Sequence, residues 1–186
     1  MIQECQETFR NLRQEFIWLR TCFNTYDALF ESGPETENLL RRTAPLFFQE
    51  LNVVLIEYAI LQASRITEGP SFGKRKNLSV AHMNELLAAC HLLTEEIEDA
   101  SNRVRAYGDL IAEARNRVIS HADKETIASQ FPTSTHMRSD VDRFLADIQE
   151  YSDMVGVTVG EGPLDFSATS GPGDVYDLLR LLRSAA

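Results

Sequence analysis

The sequence predicts an all-α protein, an up-and-down helical bundle of four to five long helices with short helices appended. Two observations carry that prediction. Apolar residues recur at alternating steps of three and four along most of the chain, the spacing that keeps one stripe of a helix against its neighbours. No run sustains the apolar–polar alternation of a half-buried strand for more than a few residues, residues 155–159 coming nearest.

The elements follow in order. Residues 2–30 form a first helix through Phe9, Leu12, Phe16, Leu19 and Phe23, with Ile17, Trp18 and Tyr26 widening the stripe. Ser32-Gly33-Pro34 ends it, because Gly suits a helix C-terminus and Pro cannot continue one. A short helix spans Glu35 to Arg42, and Pro45 opens the next, in whose first turn a missing N–H costs nothing. Residues 45–66 are apolar nearly all round, which predicts a helix surrounded by others; Glu50, Asn52 and Glu57 argue against a membrane span. Arg65 closes that segment. It is either a cation placed where the helix dipole favours one or a group at the mouth of a site. Residues 68–77 are a loop by their glycines and proline, and Lys74, Arg75 and Lys76 read as a solvated run. Ser79 caps a helix over residues 80–92, and Thr94 caps another that begins Glu95-Glu96 and runs to about Ser120. Residues 122–135 read as a loop and 137–154 as a last long helix through Val141, Phe144, Leu145, Ile148 and Tyr151. The organisation expected is a bundle over residues 1–155, a Gly/Pro-rich tether over 156–173, and an amphipathic helix over 174–186 that docks on the bundle or on a partner.

Composition bounds the function. A chain of 186 residues that is 44% hydrophobic and 25% charged is ordinary for one soluble domain. A formal charge of −10 argues against a general nucleic-acid coat or a membrane-surface protein, so any RNA contact needs a local basic patch. Residues Cys5, Cys22 and Cys90 match neither a disulfide framework nor a zinc spacing. With no signal-peptide layout, they read as reduced packing residues of a cytoplasmic protein. His82 and Glu85 stand three apart without a second such pair, so no metal or other cofactor is expected.

The chemistry-bearing stretch is Arg115-Asn116-Arg117-Val118-Ile119-Ser120-His121. The stripe Ile97, Ala100, Val104, Tyr107, Ile111, Ala114, Val118 runs directly into His121. On a continuous helix Arg115 and His121 lie about 120° apart around the axis and about 9 Å apart along it. They converge only where the helix ends or distorts, or where a second copy supplies the missing half. An imidazole transfers protons near neutral pH, and a guanidinium binds a phosphate and stabilises charge growing on its oxygens. Those parts suffice for a 2′-hydroxyl to attack its own phosphodiester. The alternative is a polar helix end that pairs with Asp123 and Glu113 for stability.

Arg115-Asn116, then four residues, then His121 resembles the motif of HEPN domains. The wider chain is similar to their abortive-infection, AbiU-like branch through Ala44-Pro45-Leu46-Phe47-Phe48, Ser64-Arg65-Ile66-Thr67-Glu68 and Arg117-Val118-Ile119-Ser120-His121-Ala122-Asp123, over roughly residues 5–150. The resemblance implies a homodimer whose two Arg–His motifs face each other. It also implies a metal-independent ribonuclease acting as a toxin or phage-defence effector on an RNA substrate. Arg115 would then polarise the phosphate, Asn116 orient it or His121, and His121 transfer the proton, with Arg65 and Arg117 lining the cleft. The other function class is an inactive binding or scaffold module that partners a nucleotidyltransferase, an antitoxin or another defence component.

Overall fold

The computed structural model describes residues 1–119, 137–168 and 171–185, with 117–119 by their backbone alone. Helix α1 (Ile2–Tyr26) continues as a π-helical turn, Asp27–Glu31. Pro34 opens α2 (Pro34–Thr43) and Pro45 opens α3 (Pro45–Thr67), each in the first turn. An antiparallel hairpin, β1 (Ser71–Phe72) and β2 (Arg75–Lys76), leads to α4 (Val80–Ala89). Then come α5 (Glu95–Leu110), α6 (Ala112–Ile119), α7 (Arg138–Val159) and α8 (Val175–Ala185). The fold is an all-α bundle.

Local chemistry sets several helix starts. The hydroxyl of Ser79 accepts from the His82 amide at 3.3 Å, that of Thr94 from Ile97 at 3.4 Å, and the Asp174 carboxylate from Asp177 at 3.2 Å. The acidic first turn of α5 is favoured by the helix dipole, and hydrogen bonds at the helix start hold the Glu96 carboxyl below its usual range.

The main core lies between α1, α5, α7 and the C-terminal half of α3, with α4 closing one end. Phe9, Leu12, Phe16 and Leu19 of α1 meet Phe144, Ile148, Tyr151 and Val155 of α7. Tyr107 of α5 stacks on Phe144, ring centroids 4.1 Å apart. The Tyr151 hydroxyl, fully buried, donates to Asn84 Oδ1 at 2.8 Å, so the ring is buried without stranding its polar end. On the rim Arg103 joins α5 to α7, its Nε donating to Asp147 at 2.9 Å and its Nη2 to Glu150 at 2.6 Å. Cys5 and Cys22 are buried as packing groups. Cys90 meets Cys5 with 3.2 Å between sulfurs, and burial, reinforced by that contact, pushes the Cys5 thiol up to about 11.

The structure departs from the sequence expectation in three places. Helix α3 is not surrounded: Ile60, Ala63 and Ile66 are core residues, but Leu46, Phe47 and Val54 are exposed. Its apolar composition therefore exceeds what the described residues cover. The helix expected to run unbroken to Ser120 is interrupted at Ile111, which sits in the bridge region with φ −92° and ψ 0°. Finally, residues 156–159 belong to α7, which takes in the whole stretch 155–159 that looked most like a strand, and the segment after them is bound to the bundle. Arg13 Nη1 donates to the Gly162 carbonyl at 3.1 Å, Arg20 and Asn24 both donate to the Ser167 carbonyl, and Phe166 is buried in the core. Beyond it α8 sets Leu179 into a second apolar cluster with Ala28, Leu29, Leu39, Leu40 and Phe48.

The crossing of α3 and α5 fixes where the candidate site forms. A Cβ added at Gly108 would lie 2.3 Å from Thr67 Oγ1 and 2.7 Å from Thr67 Cβ. The threonine cannot easily swing away, since its hydroxyl donates to Ala63 O at 2.9 Å. Glycine is therefore required for this close approach. Gly108→Ala should destabilise the protein by about 1–3 kcal/mol through overpacking, although alanine is the better helix former by about 1 kcal/mol. Chemical denaturation checks this, and an unchanged or raised midpoint would mean that the two helices cross further apart.

Candidate active site

Helix α6 packs on α3 and carries the Arg-Asn pair. Ile111 and Ala114 are buried and anchor it, while Arg115 is half-buried and Asn116 exposed. The Arg115 Nε and Nη2 groups both donate to Asn116 Oδ1, at 3.1 and 2.7 Å. A planar guanidinium gripped on one edge keeps a defined orientation and retains further N–H groups for an anion. That is a physical reason for asparagine to follow arginine.

Arg115 borders a groove whose other wall is the loop between α3 and α4. Glu68, Phe72, Arg75 and Asn77 line it. The loop is braced by its own bonds: the Asn77 amide donates to Pro70 O at 3.0 Å, and its side chain donates to Gly69 O at 2.9 Å. Two guanidinium groups thus stand on one concave surface of a chain whose net charge is −10.

The remaining residues expected at the site are placed as follows. Arg65 is not part of the groove wall; its Nη1 donates to Gln62 Oε1 at 3.0 Å, and Gln62 in turn donates to Glu15 of α1. It is exposed, in line along α3 with Phe47 and Val54, which precede it by whole numbers of turns to within about 20°. The side chain of Arg117, His121 and the loop expected over 122–135 lie outside the described residues. His82 Nδ1 stands 3.5 Å from Glu85, but Lys76 takes the same carboxylate oxygen at 2.9 Å and, with its hydrogen bond, holds that carboxyl below its usual range. Among the described residues, no three His, Cys, Asp or Glu side chains stand together as a cation site.

Sequence reasoning passed over Phe72 and Asn77 and read Arg75 as part of a solvated run. A signal was present: Phe72-Gly73-Lys74-Arg75 has the two-residue glycine turn of a tight hairpin. Such a turn makes neighbours of residues that a solvated loop would leave apart.

A helical bundle with an Arg-Asn pair on a late helix and a histidine five residues beyond has the layout of a HEPN domain. The family model described as HEPN AbiU2 matches residues 2–178, and the chain belongs to that family, an abortive-infection-related branch of HEPN proteins. The match extends past the 5–150 span of the local resemblances and takes in the bound segment and the start of α8. Comparison with curated proteins and with solved structures gives no match.

Proposed function

We propose that this AbiU2 protein is a metal-independent endoribonuclease that acts as a homodimer on single-stranded RNA. The observation that carries the reading is the Arg115 guanidinium, oriented by Asn116 at the edge of a groove, on the helix that leads to His121. His121 takes the proton of the 2′-hydroxyl, the 2′-oxygen bonds to phosphorus, and the P–O5′ bond breaks. The leaving 5′-oxygen gains a proton, and a 2′,3′-cyclic phosphate remains. Arg115 balances the charge that builds on the phosphoryl oxygens, and Arg117 and Arg65 add positive charge to the cleft.

The exposed side of α3 supports the homodimer. Leu46, Phe47 and Val54 form an apolar surface that the described residues leave open, of the sort that marks an interface. A two-fold axis across it sets two copies of α3 antiparallel, and Arg65, in line with Phe47 and Val54, enters the seam with α6 beside it. Sedimentation at micromolar concentration should show a dimer. Val54→Asp should weaken it by roughly a hundredfold or more, because each copy would bury an unpaired carboxylate. A monomer in the unaltered protein would remove the symmetric site.

The test of the activity is incubation of the purified protein with single-stranded RNA, with and without chelator, and analysis of the product ends. Cleavage that survives chelation and leaves cyclic phosphates is the expected result. RNA left intact between pH 5 and 9 would favour the second reading, a HEPN module that docks another defence component such as a nucleotidyltransferase or an antitoxin. The same open apolar surface on α3 supports that reading.

A further inference from the structure

The β1–β2 hairpin has two faces, and they are engaged differently. Ser71 pairs with Lys76 and Phe72 with Arg75, so alternation along each strand puts Phe72 and Arg75 on one side and Lys76 on the other. Gly73 turns the ribbon with φ +60°, a value its lack of a Cβ makes accessible, and it occupies the first turn position, as in a type II′ hairpin. Lys76 ties its face to α4 through Glu85 at 2.9 Å. Phe72 and Arg75, together with Ser71, line the groove shared with Arg115. Phe72 is 83% exposed, more than any other aromatic residue among the exposed large hydrophobics. Neither Lys74 nor Arg75 makes an ion pair among the described residues. Glu68 is the acidic group on the groove wall, and the cations of the hairpin and Arg115 outnumber it.

We propose that this hairpin is a binding arm for single-stranded RNA, with a base stacked on Phe72 and the adjoining phosphate on Arg75, so that the next phosphodiester reaches Arg115. The proposal rests on the ribonuclease reading and deepens it by naming what holds the substrate. An aromatic ring stacks on any base and a guanidinium binds any phosphate, so the arm selects unpaired strands and not sequence. A duplex keeps its bases inside its own stack and offers Phe72 nothing to stack on. The ring sits on a ribbon already folded and anchored, so stacking orders little further chain.

The experiment uses the full chain and a short fluorescein-labelled RNA whose 2′-hydroxyls are methylated, which removes the nucleophile and prevents cleavage during titration. Fluorescence anisotropy should show Phe72→Ala binding about five- to a hundredfold more weakly, with Phe72→Trp restoring affinity. Arg75→Ala should lower the slope of log affinity against log salt by about 0.7, the loss of one phosphate contact on a single strand. The matching duplex should bind more weakly than the single strand. Both side chains are at the surface, so the helical circular dichroism and the melting temperature should stay unchanged. The proposal is overturned if both alanine variants bind the single strand as tightly as the unaltered chain, or if that chain binds no oligonucleotide at low salt. The two readings separate cleanly. Binding through Phe72 and Arg75 without cleavage of unmodified RNA overturns the ribonuclease alone, and cleavage with an unchanged KM in Phe72→Ala overturns the arm alone.

Discussion

His121→Ala and Arg115→Ala should each lower the rate of RNA cleavage by on the order of 10²–10⁴-fold while leaving the helical fold and its melting temperature intact. A general acid–base contributes about that much to a proton-transfer step, and loss of a preorganised charge stabiliser costs about as much. The two losses should not add in the double variant, since in the proposed reaction both groups serve one transition state. Arg115→Lys should rescue little, because a lysine places a point charge where the groove presents a planar fork held at one edge by Asn116. Asn116→Ala should fall between, at about tenfold, by releasing the guanidinium without removing it. Single-turnover cleavage of a labelled RNA measures all of these. Wild-type rates in His121→Ala would move the chemistry to another residue, even where the ribonuclease activity itself is real.

The largest effect on stability is expected from Phe16→Ala. Phe16 is 1% exposed, and its ring meets Tyr151 edge-to-face with centroids 6.3 Å apart, at the contact between α1 and α7. Removing it deletes the ring's own burial and leaves a cavity whose walls are the long helices of the bundle, which cannot close in independently. The cost is about 3–5 kcal/mol, a large share of the 5–15 kcal/mol typical of a whole domain. For a chain of this length the melting temperature should fall by roughly 6–20 °C. Phe72→Ala removes the same ring from a solvated hairpin and should leave the melting temperature unchanged. Calorimetry of the two variants side by side checks both halves of the comparison. Equal melting temperatures would mean that the α1–α7 contact does not carry the core.

The helices were legible in the sequence because the forces that start and stop them are local. Ser79, Thr94 and Asp174 accept bonds from amides three residues on, and prolines at 34 and 45 open helices where their missing N–H is not needed. The inward stripe of α5, Ile97 to Tyr107, is a matter of helical period alone. The spacing of Arg115, Asn116 and His121, and with it the HEPN family, can likewise be read without a structure.

The tertiary structure alone decided which of these pieces meet. Arg13 and Gly162 are 149 residues apart, and their hydrogen bond turns an apparent tether into a strap. Composition could not show this, because glycine and proline set backbone freedom without saying what the backbone will touch. The apolar surface of α3 told of burial but not of whose burial, and the described residues cover only part of it. The groove needs Gly108 to let α5 close on Thr67, so that the hairpin after α3 comes to stand across from Arg115 on α6. Helix period is written every three or four residues, whereas contact between distant segments depends on side-chain volumes that meet only when the chain has packed.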